Sequence, residues 1–117
     1  MKGILLLLAL SGSALALPGS VKATARLYAQ PNPQSKVVVT LTARTKLEIK
    51  SCQGGPKGWC SVTALGKSGF IPRAQVYGNG ACTGLISVGL GDLLPSEASY
   101  TGNRDRDRDG LGCDTTQ

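Results

Sequence analysis

Histidine is absent from the 117 residues, and aromatic side chains are scarce: one Trp, one Phe and three Tyr. Without imidazole there is no Ser-His-Asp triad, no Cys-His dyad and no zinc site with histidine ligands. Acid–base chemistry would fall to carboxylates, Lys or Tyr, and a chain this short builds little wall around a cleft. The expectation is a protein that binds and does not catalyse. Long apolar runs are missing too. Ile4 to Leu10 spans seven residues, too few to cross a hydrocarbon layer of ~30 Å. That run follows Met1-Lys2 and precedes Ser11-Gly12-Ser13 and the small-x-small triplet Ala14-Leu15-Ala16. The pattern reads as a secretory signal peptide over residues 1–16, against the competing reading of a buried terminal strand or helix. No Cys follows the run, so a lipid anchor is not supported. The expected location is secreted, periplasmic or in the cell envelope, with no stable membrane insertion.

What is present divides the rest of the chain in two. From Pro18 to Gly78 there are nine Lys/Arg and a single acid, Glu48, a net charge of +8. From Asn79 to Gln117 there are three Arg and six acids, a net charge of −3. Gly78-Asn79-Gly80 marks the boundary and reads as a flexible hinge. The expected organisation is therefore a signal peptide at 1–16, a basic domain at 18–78 and an acidic module at 79–117. Domains this small need staples. Four cysteines, Cys52, Cys60, Cys82 and Cys113, lie beyond the leader. An even count in a small exported chain implies two disulfides, and four cysteines allow three pairings. No C-x-x-C pair supports a metal site instead. Cys52–Cys60 with Cys82–Cys113 is favoured, because each bridge then stays within one charge segment.

The basic segment reads as all-β. Lys36 to Thr42 is β-branched, Lys46-Leu47-Glu48-Ile49-Lys50 alternates with period two, and Gln53 to Gly58 is a dense turn cluster. Trp59-Cys60-Ser61-Val62 is the return strand, which sets Cys52 opposite Cys60 across a hairpin. A further turn at Gly66-Lys67-Ser68-Gly69 leads into Phe70-Ile71-Pro72. Four or five short strands with such turns make a small barrel. Tyr28-Ala29-Gln30-Pro31-Asn32-Pro33, Gly58-Trp59, and Gly66-Lys67-Ser68-Gly69-Phe70-Ile71 resemble a bacterial SH3-like (SH3b) domain over roughly Val21 to Tyr77. The resemblance departs at its start, where Arg26-Leu27-Tyr28 replaces the family's N-V-R element. It implies an SH3-like β-barrel and a role in binding cell-wall peptides or glycans. Trp59, Tyr28 and Phe70 are the candidates for an aromatic platform, with Tyr77 a further surface contact. The favoured reading, however, buries Trp59 and Phe70 in the barrel core and leaves Tyr28 and Tyr77 as the surface contacts. The Lys/Arg excess reads as a solvated face that could also attract anionic wall polymers or nucleic acid.

The sharpest motif is Asp105-Arg106-Asp107-Arg108-Asp109-Gly110-Leu111-Gly112-Cys113-Asp114. Carboxylates at positions 1, 3 and 5 with Gly at 6 match the first half of an EF-hand loop. Alternate side chains turn inward to offer a hard cation oxygen ligands, and the glycine permits the turn. The Leu111 carbonyl is the expected ligand at position 7, and Arg104, Arg106 and Arg108 are expected to face outward. A disordered tail of mixed charge would explain the alternation but not Gly110, Cys113 or Asp114. D-x-D-x-D-G-x-x-C-[ED], with Tyr100 and an earlier Cys, resembles the Excalibur extracellular calcium-binding region over roughly Gly80 to Asp114. That resemblance implies Ca²⁺ ligands at Asp105, Asp107, Asp109, Leu111 and Asp114, and a Cys82–Cys113 bridge. Asp114 stands where the family usually has Glu, one methylene longer, so the expected affinity is weak, in the ~10⁻⁴–10⁻³ M range of extracellular modules. Thr83 to Val88 reads as a short helix, with a turn at Pro95-Ser96-Glu97. Gly89-Leu90-Gly91-Asp92 lacks the Lys and preceding strand of a phosphate loop.

Taken together, the expected fold is mainly β: an SH3-like barrel followed by a small disulfide-closed, EF-hand-like calcium module. The expected partner is cell-wall peptidoglycan or an associated polymer. The alternative is an exported accessory protein that binds nucleic acid.

Overall fold

The computed structural model describes residues 16–115. The leader read at 1–16 lies outside the described residues except for Ala16, so its structure is not addressed. Among the described residues, no helix is long and apolar enough to cross a membrane. Seven antiparallel strands form one sheet in the order β3-β2-β6-β5-β4-β1-β7. They are β1 (Leu17–Val21), β2 (Ala25–Tyr28), β3 (Val37–Leu41), β4 (Lys46–Gln53), β5 (Trp59–Ala64), β6 (Lys67–Pro72) and β7 (Val76–Gly78). Buried residues from all seven strands, among them Val21, Leu27, Leu41, Ile49, Val62, Ile71 and Val76, join one core. A flat sheet could not bring its two outer strands to a shared core, so the sheet curls around it.

The alternation read in Lys46 to Lys50 holds. Leu47 and Ile49 are buried while Lys46, Glu48 and Lys50 are exposed. Cys52 pairs with Cys60 across β4 and β5, and the Cys52–Cys60 and Cys82–Cys113 disulfides both form. The strand count is higher than the four or five expected, because β1, β2 and β7 were not read as strands. Pro18 and Gly19 mask β1 in a local reading. The fold nevertheless requires a glycine there, since a Cβ at Gly19 would stand 2.5 Å from the Tyr77 carbonyl oxygen. The β5–β6 turn also sits earlier than expected. Leu65 (φ 52°) and Gly66 (φ 75°) are its left-handed pair, a combination whose twist suits a two-residue hairpin. Lys67 to Gly69 already belong to β6.

The C-terminal segment is not a module on a free hinge. Gly78 is paired with Gly19 at the end of β7, and the Asn79 N–H donates to the Pro18 carbonyl at 2.9 Å. Helix α1 (Cys82–Ser87) follows, matching the expected short helix to within a residue, and Pro95-Ser96-Glu97 lies in a turn region. Leu85, Val88, Leu90, Leu93 and Cys113 belong to the same core as the sheet. The charge boundary is real in sequence, but apolar packing crosses it. Ser99 covers the outer edge of β7, donating to the Val76 carbonyl and accepting from the Gly78 N–H at 3.0 Å. A sheet edge covered this way is closed to pairing with another chain.

One contact of this seam is strict. The Cys52 N–H donates to the Val88 carbonyl at 2.6 Å. The next residue, Gly89, has φ 94°, and a Cβ there would lie 2.1 Å from the Cys52 carbonyl oxygen. A side chain at this position meets both the left-handed backbone penalty and a collision with β4. Gly89→Ala should therefore lower stability by about 2–3 kcal/mol, read by urea denaturation. The exposed Gly102, with nothing within 4 Å of its Cβ direction, is the matched control and should accept Ala with little change.

Candidate functional site

Two sites emerge. The first lies on the outer face of the sheet, where the strand registers align side chains in rows. Tyr28 of β2 is opposite Phe70 of β6, which is opposite Ser61 of β5, which is opposite Ser51 of β4. The adjoining row runs Pro72, Trp59, Gln53. A register shift between Ile49 and Ser51 brings β4 into both rows, through Ser51 in the first and Gln53 in the second. Without that bulge, Ser51 would keep the inward phase of Leu47 and Ile49. Along β5, Cys60, Val62 and Ala64 are buried, whereas Trp59, Ser61 and Thr63 are half-exposed.

This phase decides between the two readings of the aromatics. Trp59 and Phe70 do not fill the core; they line a surface groove of about 400 Å³ with Pro31, Ser51, Gln53, Gly54, Gly58 and Ser61. Tyr28 braces Trp59 edge to face, ring centroids 5.6 Å apart. Of the expected contacts, Tyr28 and Trp59 come together and Tyr77 does not join them. Tyr77 sits instead beneath Lys22 and Arg104, 5.0 and 5.1 Å from its ring centre. The loop that carries Pro31 is held by its own hydrogen bonds. Ser35 donates to the Gln30 and Asn32 carbonyls, and Ala29 N–H donates to the Lys36 carbonyl.

Residues 21–78, most of this sheet, match the family model of the bacterial SH3 domain. This segment is a bacterial SH3 domain. No curated protein and no solved structure matches the chain. The matched range closely follows the resemblance read from Val21 to Tyr77, although β1 begins four residues before it. The groove is thus a feature of the SH3 domain itself, built on its β4, β5 and β6 strands.

The second site is the acidic loop after the SH3 domain. Asp105, Asp107 and Asp109 each offer a carboxylate oxygen, all within 4.8 Å of one another. Asp105 is buried and organises the loop: it accepts from the Tyr100 hydroxyl and from the Asp109 and Gly110 N–H groups. The Tyr100 hydrogen bond, joined by those two N–H groups, holds the Asp105 carboxyl below the usual range against the opposing effect of burial. The same bond to Asp105, with desolvation and the charges of Asp105 and Asp109, raises the Tyr100 hydroxyl. At Asp109 the Leu111 N–H pulls downward, but desolvation and the neighbouring Asp114 and Asp107 carboxyls outweigh it and leave the group raised. Asp114 lies beside Asp109, while the carboxyls that converge are those of Asp105, Asp107 and Asp109. Gly110, at φ 87°, turns the chain as the motif requires.

Sequence reasoning missed the anchor of this loop. Arg104 does not point outward. It donates to the Ser99 carbonyl at 2.7 Å, to Gly78 at 2.8 Å and to Gly80 at 2.7 Å, tying the residue before Asp105 to the end of β7. It also missed Arg73, buried and paired with Glu97 at 2.8 Å. In the sequence Arg73 figures only as one of the nine basic residues, and Arg104 as an outward-facing arginine of the acidic loop. Nothing in their local sequence distinguishes them from solvated arginines, since their partners are carbonyls and a carboxylate far along the chain.

Proposed function

We propose that the chain is an exported, non-enzymatic binding protein of the bacterial cell envelope, in which the SH3 domain recognises a wall component and the C-terminal loop binds Ca²⁺. The observation that carries the reading is the aromatic groove, exposed on a bacterial SH3 domain, with Tyr28 packed edge to face against Trp59. Export is supported by the leader pattern at 1–16 and by two disulfides, which persist in oxidising compartments. The first strand starts at Leu17, directly after the Ala14-Leu15-Ala16 triplet, so cleavage there would leave the sheet intact.

The acidic loop fits a hard divalent cation by its donor set. Its side-chain donors are carboxylates, three of which bring an oxygen within 4.8 Å of one another, a density of negative charge that a bound cation would neutralise. Asp105 spends three acceptor positions on internal hydrogen bonds, and a carboxylate has about four. Asp105, Asp107, Asp109, the Leu111 carbonyl and Asp114 would hold the ion, which would supply charge neutralisation and crosslinking of the loop. The Excalibur resemblance points the same way.

Co-sedimentation of the oxidised protein with purified peptidoglycan tests the wall reading. Retention is expected at high salt, with Trp59→Ala reducing it by about tenfold or more. Release by salt alone would assign the binding to the basic face and move a polyanion such as nucleic acid ahead. Calorimetric titration with Ca²⁺ tests the loop. A dissociation constant of ~10⁻⁴–10⁻³ M is expected, and Asp105→Asn with Asp109→Asn should abolish the heat. Unchanged heat in that double variant would remove the loop from the proposal.

A further inference from the structure

The SH3 segment carries a net charge of +8, yet none of it lines the groove. The lining consists of two aromatic rings, a proline ring, two hydroxyls, a primary amide and two glycines. Lys46, Lys50 and Lys67 are exposed on the same strands but are not among the lining residues. A site for a phosphate polymer, a nucleic acid or an acidic peptide would place a cation where the ligand lies, because charge pairing is what recognises those ligands. A site for a cationic peptide would place a carboxylate there. Neither is present among the lining residues.

We infer that the groove between Trp59, Phe70 and Pro31 binds a neutral polysaccharide strand, the glycan part of a wall and not its charged peptides or its anionic polymers. This rests on the envelope reading above and deepens it by naming the ligand class. Pyranose rings present patches of C–H groups that pack on aromatic faces, and their rims carry hydroxyl and acetamido groups that exchange hydrogen bonds with neutral donors and acceptors. Trp59 and Phe70 supply the faces. Ser51, Ser61 and Gln53, exposed or half-exposed beside them, supply groups that both donate and accept. The volume of about 400 Å³ lies in the range of small-ligand clefts. Preorganisation favours the site further. Tyr28 braces Trp59, and the hydrogen-bonded loop at 29–36 holds Pro31, so little side-chain freedom remains to be lost on binding.

Trp59 is the only tryptophan of the chain, so its fluorescence reports on this groove alone. The oxidised protein is titrated with N-acetylated chitotetraose, with a neutral tetrapeptide and with polyphosphate, each at low and high salt. Chitotetraose is expected to shift the emission saturably and independently of salt. Gln53→Ala, at an exposed position that keeps the reporter and the core, should weaken binding several-fold. Lys46→Glu with Lys67→Glu, outside the groove, should leave it unchanged. A shift with the peptide or polyphosphate and none with chitotetraose would overturn the assignment. So would silence towards all three. Retention on peptidoglycan in either case would leave the envelope reading standing, whereas loss of both signals would remove both.

Discussion

Arg73→Met should cost about 3–5 kcal/mol of stability and release the C-terminal segment from the sheet. Arg73 and Glu97 form a two-pronged pair, Nε to Oε1 at 2.8 Å and Nη2 to Oε2 at 3.1 Å, with both side chains almost fully buried. The guanidinium also donates to the Gly89 carbonyl at 3.0 Å and to Gly91 at 2.7 Å, and Glu97 accepts from the Leu94 N–H at 2.8 Å. Removing the arginine strands a buried carboxylate and two carbonyls. Urea denaturation should show the loss, and Glu97→Gln should show a smaller one. Arg73→Met combined with Glu97→Leu should recover part of the deficit, because no buried charge is then left unpaired. A double variant as unstable as the sum of the singles would mean that packing, not the ion pair, holds the seam.

The second large effect concerns the Cys82–Cys113 bridge, whose partners are 31 positions apart. Cys82→Ser with Cys113→Ser should cost roughly 3–4 kcal/mol in the chain-entropy model and abolish the proposed Ca²⁺ binding. Cys113 does more than close the loop. Its N–H donates to the Arg104 carbonyl at 2.8 Å and its carbonyl accepts from Asp92 N–H at 3.0 Å, so the bridge pins the two ends of the acidic loop to each other and to α1. The Cys52–Cys60 bridge closes only 8 positions within an already paired hairpin. Its removal should cost less and leave Ca²⁺ titration unchanged. Equal Ca²⁺ affinity in both double variants would separate the loop's function from its closure.

The parts of the fold read correctly were those whose cause is local. Alternation from Lys46 to Lys50 placed β4, the turn-rich Gln53 to Gly58 placed the hairpin, and opposite charge segments paired the cysteines. The misreadings have a shared origin. β1 was hidden because Pro18 and Gly19 look like breakers, and only the approach of β7 explains the glycine. Trp59 and Phe70 were legible as important but not as exposed, because which face of β5 and β6 turns inward is set by their pairing with the neighbouring strands and by the core they close.

Sequence alone determined the composition of both candidate sites: an acidic loop with alternating carboxylates and a turn glycine, and a short set of aromatics with no histidine chemistry beside them. These features are set by residue type and spacing within ten residues or so, where backbone periodicity acts directly. Tertiary structure decided the rest. It turned Trp59 and Phe70 outward, withheld the basic side chains from their groove, folded Arg104 back onto β7 and buried Arg73 against Glu97 across a supposed hinge. Each of these depends on partners distant in sequence, and apolar burial shared between the two segments joins what their opposite charges had separated.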